Sequence, residues 1–128
     1  MKRLTAYLLI TSVLIASVLT DDTFYLSPKP QDKNVVEGKH VVLECGVGLG
    51  VGITDSQNIK IHWNHNNNKI VYDSRRYQRN GSLVIVSADR VKDLGQFTCL
   101  ATNVSSGHSI RKTIELRVFC EYLRLKTI

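Results

Sequence analysis

The side chains able to do metal or nucleophilic chemistry are three cysteines, Cys45, Cys99 and Cys120, and four histidines, of which His62 and His65 lie three residues apart. Two histidines at that spacing on an extended strand face opposite ways, so surface histidine is the better reading and no metal is expected. The glycine run GVGLGVG does not fit G-x-G-x-x-G anywhere over Gly46–Gly52, and no helical period follows it to receive a phosphate. Neither H-E-x-x-H nor G-x-S-x-G occurs. No catalytic residue and no cofactor is therefore expected, and an enzyme is rejected. Two asparagines sit in glycosylation sequons, Asn80 in NGS and Asn103 in NVS, both in expected surface turns. The cluster Arg75, Arg76, Tyr77 and Arg79, with Lys69, could hold sulfated glycans; a solvated edge with one arginine held by an acid is the favoured alternative.

The compartment follows from the first residues. Lys2 and Arg3 precede an apolar run, Leu4–Leu19, that ends at small and polar residues before Asp21 and Asp22. A basic start, a short apolar centre and a small-residue exit describe a secretory signal peptide, expected over residues 1–20. The rival, an uncleaved signal anchor, is disfavoured because a membrane span needs ~20 apolar residues. No later segment is apolar enough to cross a bilayer, so membrane attachment would need further segments. Without the leader the net charge falls from +6 to +4, mildly basic. Aromatics are few and scattered, which argues against a nucleic-acid surface. In an exported chain, three cysteines imply one disulfide and one leftover thiol.

The elements that must position these groups read as strands. Ile59, Ile61 and Trp63 alternate with Lys60, His62 and Asn64; Val41, Leu43, Cys45 and Val47 alternate with His40, Val42, Glu44 and Gly46. SLVIV offers Leu83 and Ile85 inward, and TIELRV offers Ile114, Leu116 and Val118. In KDLGQFTC, Asp93, Gly95, Phe97 and Cys99 share one parity, as a turn feeding a strand would. HNNNK reads as a hairpin connection, and NGS and NVSSG as further turns. The stretch GVGLGVGITDSQN reads as a long loop without fixed shape. No segment after the leader carries a helical period, so the fold class is all-β, antiparallel, with one wet face per sheet.

Trp63 follows Cys45 by 18 residues, and Cys99 follows Trp63 by 36. Cys…Trp…Cys over many short strands resembles the immunoglobulin sandwich. That resemblance implies a disulfide between Cys45 and Cys99 joining two sheets, with Trp63 and Phe97 in the core and neither cysteine left as a nucleophile. KDLGQFTC is similar to the family's D-x-G-x-Y-x-C motif, with Phe97 where tyrosine is usual, so the hydroxyl of the tyrosine corner is missing at a loss of about 1 kcal/mol. By the same resemblance Asp93 pairs with an arginine, Arg76 or Arg75, with Arg90 as a rival. A short entering KNVVEGKHVVLEC, one C′ strand and a brief D–E region point to the intermediate type (I-set) over residues 24–119.

More narrowly, SRRYQRNGSLVIVSADRVKDLGQFTCLATN resembles the amino-terminal immunoglobulin domain of the Off-track family of receptor pseudokinases, called protein tyrosine kinase seven in vertebrates. Arg75, Arg76, Tyr77, the GSL, the ADR and the Phe97 replacement carry that likeness. It implies an extracellular or cell-surface module that binds other proteins in adhesion, axon guidance and Wnt or semaphorin signalling. The alternative is a soluble secreted single-domain protein in defence or acting as a decoy. Residues 120–128 match no expected continuation; Cys120 belongs either to a truncated gene end or to a disulfide linking two copies.

Overall fold

The computed structural model describes residues 23–50 and 58–120, so the expected leader (1–20) and most of the tail (121–128) lie outside the described residues. Among the described residues ten strands follow one another: β1 (Phe24–Leu26), β2 (Lys33–Val36), β3 (Val41–Leu43), β4 (Val47–Leu49), β5 (Ile59–His65), β6 (Asn68–Lys69), β7 (Arg76–Arg79), β8 (Ser82–Ile85), β9 (Gly95–Asn103) and β10 (Ser109–Phe119). They form a five-stranded sheet, β2-β10-β9-β5-β6, a three-stranded sheet, β3-β8-β7, and a β1-β4 pair. No α-helix occurs among the described residues, in line with the lack of any 3.6-residue period.

The alternation places the core. Val41, Leu43, Cys45, Leu83 and Ile85 from one sheet meet Trp63, Phe97, Cys99, Ile114, Leu116 and Val118 from the other in a single buried cluster. Cys45 and Cys99 are bonded across it, with Cα atoms 6.6 Å apart. A smaller cluster of Phe24, Ile59 and Ala101 closes one end.

Two features differ from the strand reading. β2 pairs with β10 in parallel, Val35 opposite Val118, so the sandwich is not wholly antiparallel. The chain leaves β1, which pairs with β4 on the other side, and crosses to run alongside β10 in the same direction. The glycine stretch after Cys45, expected to be shapeless, contains β4. Gly46, Gly48 and Gly50 alternate with Val47 and Leu49, a period of two in its own right. A β-carbon on Gly48 would lie only 2.2 Å from Cε2 of the Tyr25 ring, so the glycine lets that ring lie flat on the strand. Val47 and Leu49 meanwhile pack on the Phe24 cluster.

The turns carry the residues their geometry needs. Asn66-Asn67 (φ 49° and 68°) closes the β5–β6 hairpin, and Asn80-Gly81 (φ 51° and 91°) closes β7–β8. Asparagine and glycine tolerate these left-handed values, which two-residue hairpins demand.

Candidate recognition site

The core is pinned from below the disulfide. Trp63, fully buried, donates from Nε1 to the Gly81 carbonyl at 2.8 Å, tying β5 to the β7–β8 turn of the opposite sheet. Asp93, also fully buried, gathers the charged groups. Its Oδ2 accepts from Arg75 Nη1 and from the Asp89 backbone N–H (2.7 Å), while Arg76 Nη1 lies 3.5 Å from Oδ1. Both arginines thus converge on this carboxylate, with Arg75 the hydrogen-bonded one; the Arg90 backbone N–H instead donates to Glu37. The bond to Asp93 holds the Arg75 guanidinium above its usual pKa. Arg75→Ala is expected to destabilise the domain by about 2 kcal/mol, a charged hydrogen bond's worth, and Arg76→Ala by less. Urea unfolding of the two variants ranks them; an equal loss would contradict the geometry.

Two further carboxylates organise the segments that meet there. Asp73 Oδ1 accepts from the backbone N–H groups of Arg75 and Arg76, each at 2.8 Å, and Asp89 Oδ1 does the same for Val91 and Lys92. Those backbone bonds lower both aspartate pKa values. A carboxylate lowered in the folded state stabilises above its unfolded pKa, about 3.9. That stability fades as pH falls through the folded value. The contribution of these two aspartates is therefore expected to be level from neutral pH down to about 4 and to drop below it, read as the difference in urea midpoint between wild type and Asp73→Asn across a pH series.

His65 departs from the surface-histidine reading. Its ring stacks on Phe97 at 4.1 Å with an interplanar angle of 9°. Nε2 lies 2.9 Å from the Leu94 carbonyl, and Nδ1 lies 3.3 Å from Arg76 Nη1. The guanidinium can only donate, so Nδ1 accepts and Nε2–H donates to Leu94. An imidazole from β5 thereby supplies a hydrogen bond to the backbone just upstream of Phe97, the task of the missing tyrosine hydroxyl. The signal was present: His65 continues the inward parity of Ile59, Ile61 and Trp63. Gly95, beside this corner, has φ +123° and would bring a β-carbon to 2.5 Å from Asn66 Oδ1, so the motif glycine admits the β5–β6 turn.

The proposed basic patch is divided by this geometry. Arg75 and Arg76 turn to Asp93, Arg79 lies 5.9 Å over the Tyr77 ring, and Lys69 is exposed on β6. The sequons also separate. Asn80 is exposed, but Asn103, expected in a surface turn, is buried, and its Oδ1 accepts from the N–H groups of Ser105 (2.9 Å) and Ser106 (3.3 Å). Cys120 is a free, partly buried thiol. Among the described residues no group of histidine, cysteine and carboxylates could hold a metal, and no helix is long and apolar enough to cross a membrane.

Two sheet faces remain for recognition. On the five-stranded sheet the outer rows are Lys60 beside Thr102, His62 beside Leu100 and Arg111, and Asn64 beside Thr98 and Thr113. On the three-stranded sheet a groove of about 350 Å³ runs between Glu44, Tyr77 and Arg79. Its floor is Val42 and Val84, the latter buried although it points away from the core.

A family described as Immunoglobulin domain matches residues 24–103. The chain belongs to the immunoglobulin family. The chain is 33% identical, over 106 residues, to Tyrosine-protein kinase-like otk of Drosophila ananassae, a match spanning 82% of this chain and 10% of the relative. The expected likeness to Off-track is thus present in sequence, and the chain spans about a tenth of such relatives. Among solved structures, the tandem immunoglobulin repeats of Dlar superpose with a TM-score of 0.65 at 22% identity, covering 78% of this chain and 50% of that one. The Sidekick-1 immunoglobulin domains 1–5 superpose with a TM-score of 0.64 at 23% identity, covering 79% and 21%. These two speak for the fold alone.

Proposed function

We propose that this immunoglobulin domain is an extracellular recognition module that binds another extracellular or cell-surface protein, in a receptor setting of adhesion or axon guidance. The observation that carries the reading is the similarity to Off-track proteins over four-fifths of the chain. The disulfide supports it, since such bonds persist in oxidising compartments, and so does the leader-like composition of the first twenty residues. Wnt or semaphorin signalling is the narrower setting that the resemblance suggests.

Insect cells expressing the chain with its own first twenty residues should release it into the medium with Cys45 and Cys99 bonded. Released protein, clustered on a fluorescent tetramer, should stain neural cells and lose that staining after their surface proteins are trimmed by trypsin. Retention in the cytosol would refute the extracellular placement, and staining that survives trypsin would refute a protein partner. Heparinase-sensitive staining would instead return Lys69 and Arg79 to consideration as glycan contacts.

A further inference from the structure

We infer that Asn80, and not Asn103, carries an N-linked glycan, and that its first sugar seats in the groove on the outer face of β3-β8-β7. The inference rests on the extracellular reading and adds a modification site and the surface it covers.

The two sequons are equivalent as sequence and unlike as structure. Asn80 occupies the first position of a two-residue hairpin turn, where the side chain projects into solvent. Asn103 is 3% exposed, and its side-chain oxygen organises the β9–β10 turn by accepting two backbone N–H groups. A sugar on its side-chain nitrogen has no room unless the whole amide leaves that turn. The transfer replaces one N–H of the side-chain amide with an N-glycosidic bond, the lipid-linked oligosaccharide being the donor and its pyrophosphate the leaving group. It takes place as the chain enters the secretory pathway. A chain glycosylated at Asn103 would then be unable to close its β9–β10 turn and would be selected against in the exported pool.

Asn80 also lines the groove of about 350 Å³, a volume at the lower end of small-ligand clefts. Val84 pairs with Val42 on one side and Tyr77 on the other, so three apolar surfaces lie side by side on the outward face. Glu44 and Arg79 stand at the rim. This composition suits N-acetylglucosamine, which presents a C–H face to aromatic and aliphatic carbons and hydroxyl and acetamide groups to charged neighbours. The covalent tether at the rim makes seating intramolecular, so even weak contacts hold the sugar there most of the time.

The test uses the full chain secreted from insect cells behind a heterologous leader, so that a failure of its own leader does not enter. Deglycosylation in heavy-oxygen water followed by peptide mapping reads each site. The expected result is a label on most Asn80 peptides and none on Asn103 peptides, with Ser105→Ala leaving the glycan mass unchanged. An unlabelled Asn80, or a label on Asn103 equal to or above that on Asn80, overturns the site assignment. Protein trimmed to one sugar should then show nuclear Overhauser contacts between that sugar and the Tyr77 ring and Val84 methyls, lost in Tyr77→Ala. A sugar without such contacts overturns the seating. Secretion with the heterologous leader but not with the native one would count against the extracellular reading alone.

Discussion

Alanine in place of both Cys45 and Cys99 is expected to lower the free energy of unfolding by about 4 kcal/mol. The bond closes a loop across 54 residues and constrains the unfolded chain accordingly. Both sulfurs lie in the cluster where the two sheets meet, so the loss is not cushioned by solvent. Against a total of ~5–15 kcal/mol for an ordinary domain, about 1–11 kcal/mol would remain, so the loss removes between a quarter and most of the stability. Urea unfolding followed by the fluorescence of Trp63, the single tryptophan, measures it directly. A midpoint shift of less than a quarter of that expected would show that packing alone joins the sheets.

Trp63→Ala should cost about 3–5 kcal/mol, the range for deleting a large buried aromatic. It also leaves the Gly81 carbonyl without its indole partner. Trp63→Phe separates the two contributions, because it keeps an aromatic ring while removing the donor. That variant should lose roughly 2 kcal/mol, set by the unpaired carbonyl and the smaller ring. Urea unfolding followed by circular dichroism reads these tryptophan-free variants, and slopes equal to wild type would show that both keep the fold and that the numbers are comparable. If phenylalanine proved neutral, the bond to the β7–β8 turn would be incidental to stability.

Both predictions start from residues whose inward positions could be read from the chain. Period-two alternation is a local property, so the parities of Cys45, Trp63, Phe97, Cys99 and the β10 residues followed from their neighbours. Turn residues were equally local, since Asn66, Asn67 and Gly81 mark positions that need positive φ. The same rule also placed His65 inward, a signal outweighed by the usual exposure of histidine. β4 was hidden because alternating glycines mimic a loop, and only the pairing with β1 lays Tyr25 over Gly48.

What the chain determined by itself is therefore its all-β character, its inward and outward faces and the pair of thiols able to meet. Which arginine hydrogen-bonds Asp93, how an imidazole replaces a tyrosine hydroxyl, which sequon is buried and where an outward valine is covered were decided by tertiary structure. The reason is physical: a side chain's parity depends on adjacent residues, but its partner depends on a strand tens of residues away. Only the folded register brings β5 beside β9 and β7 beside β8.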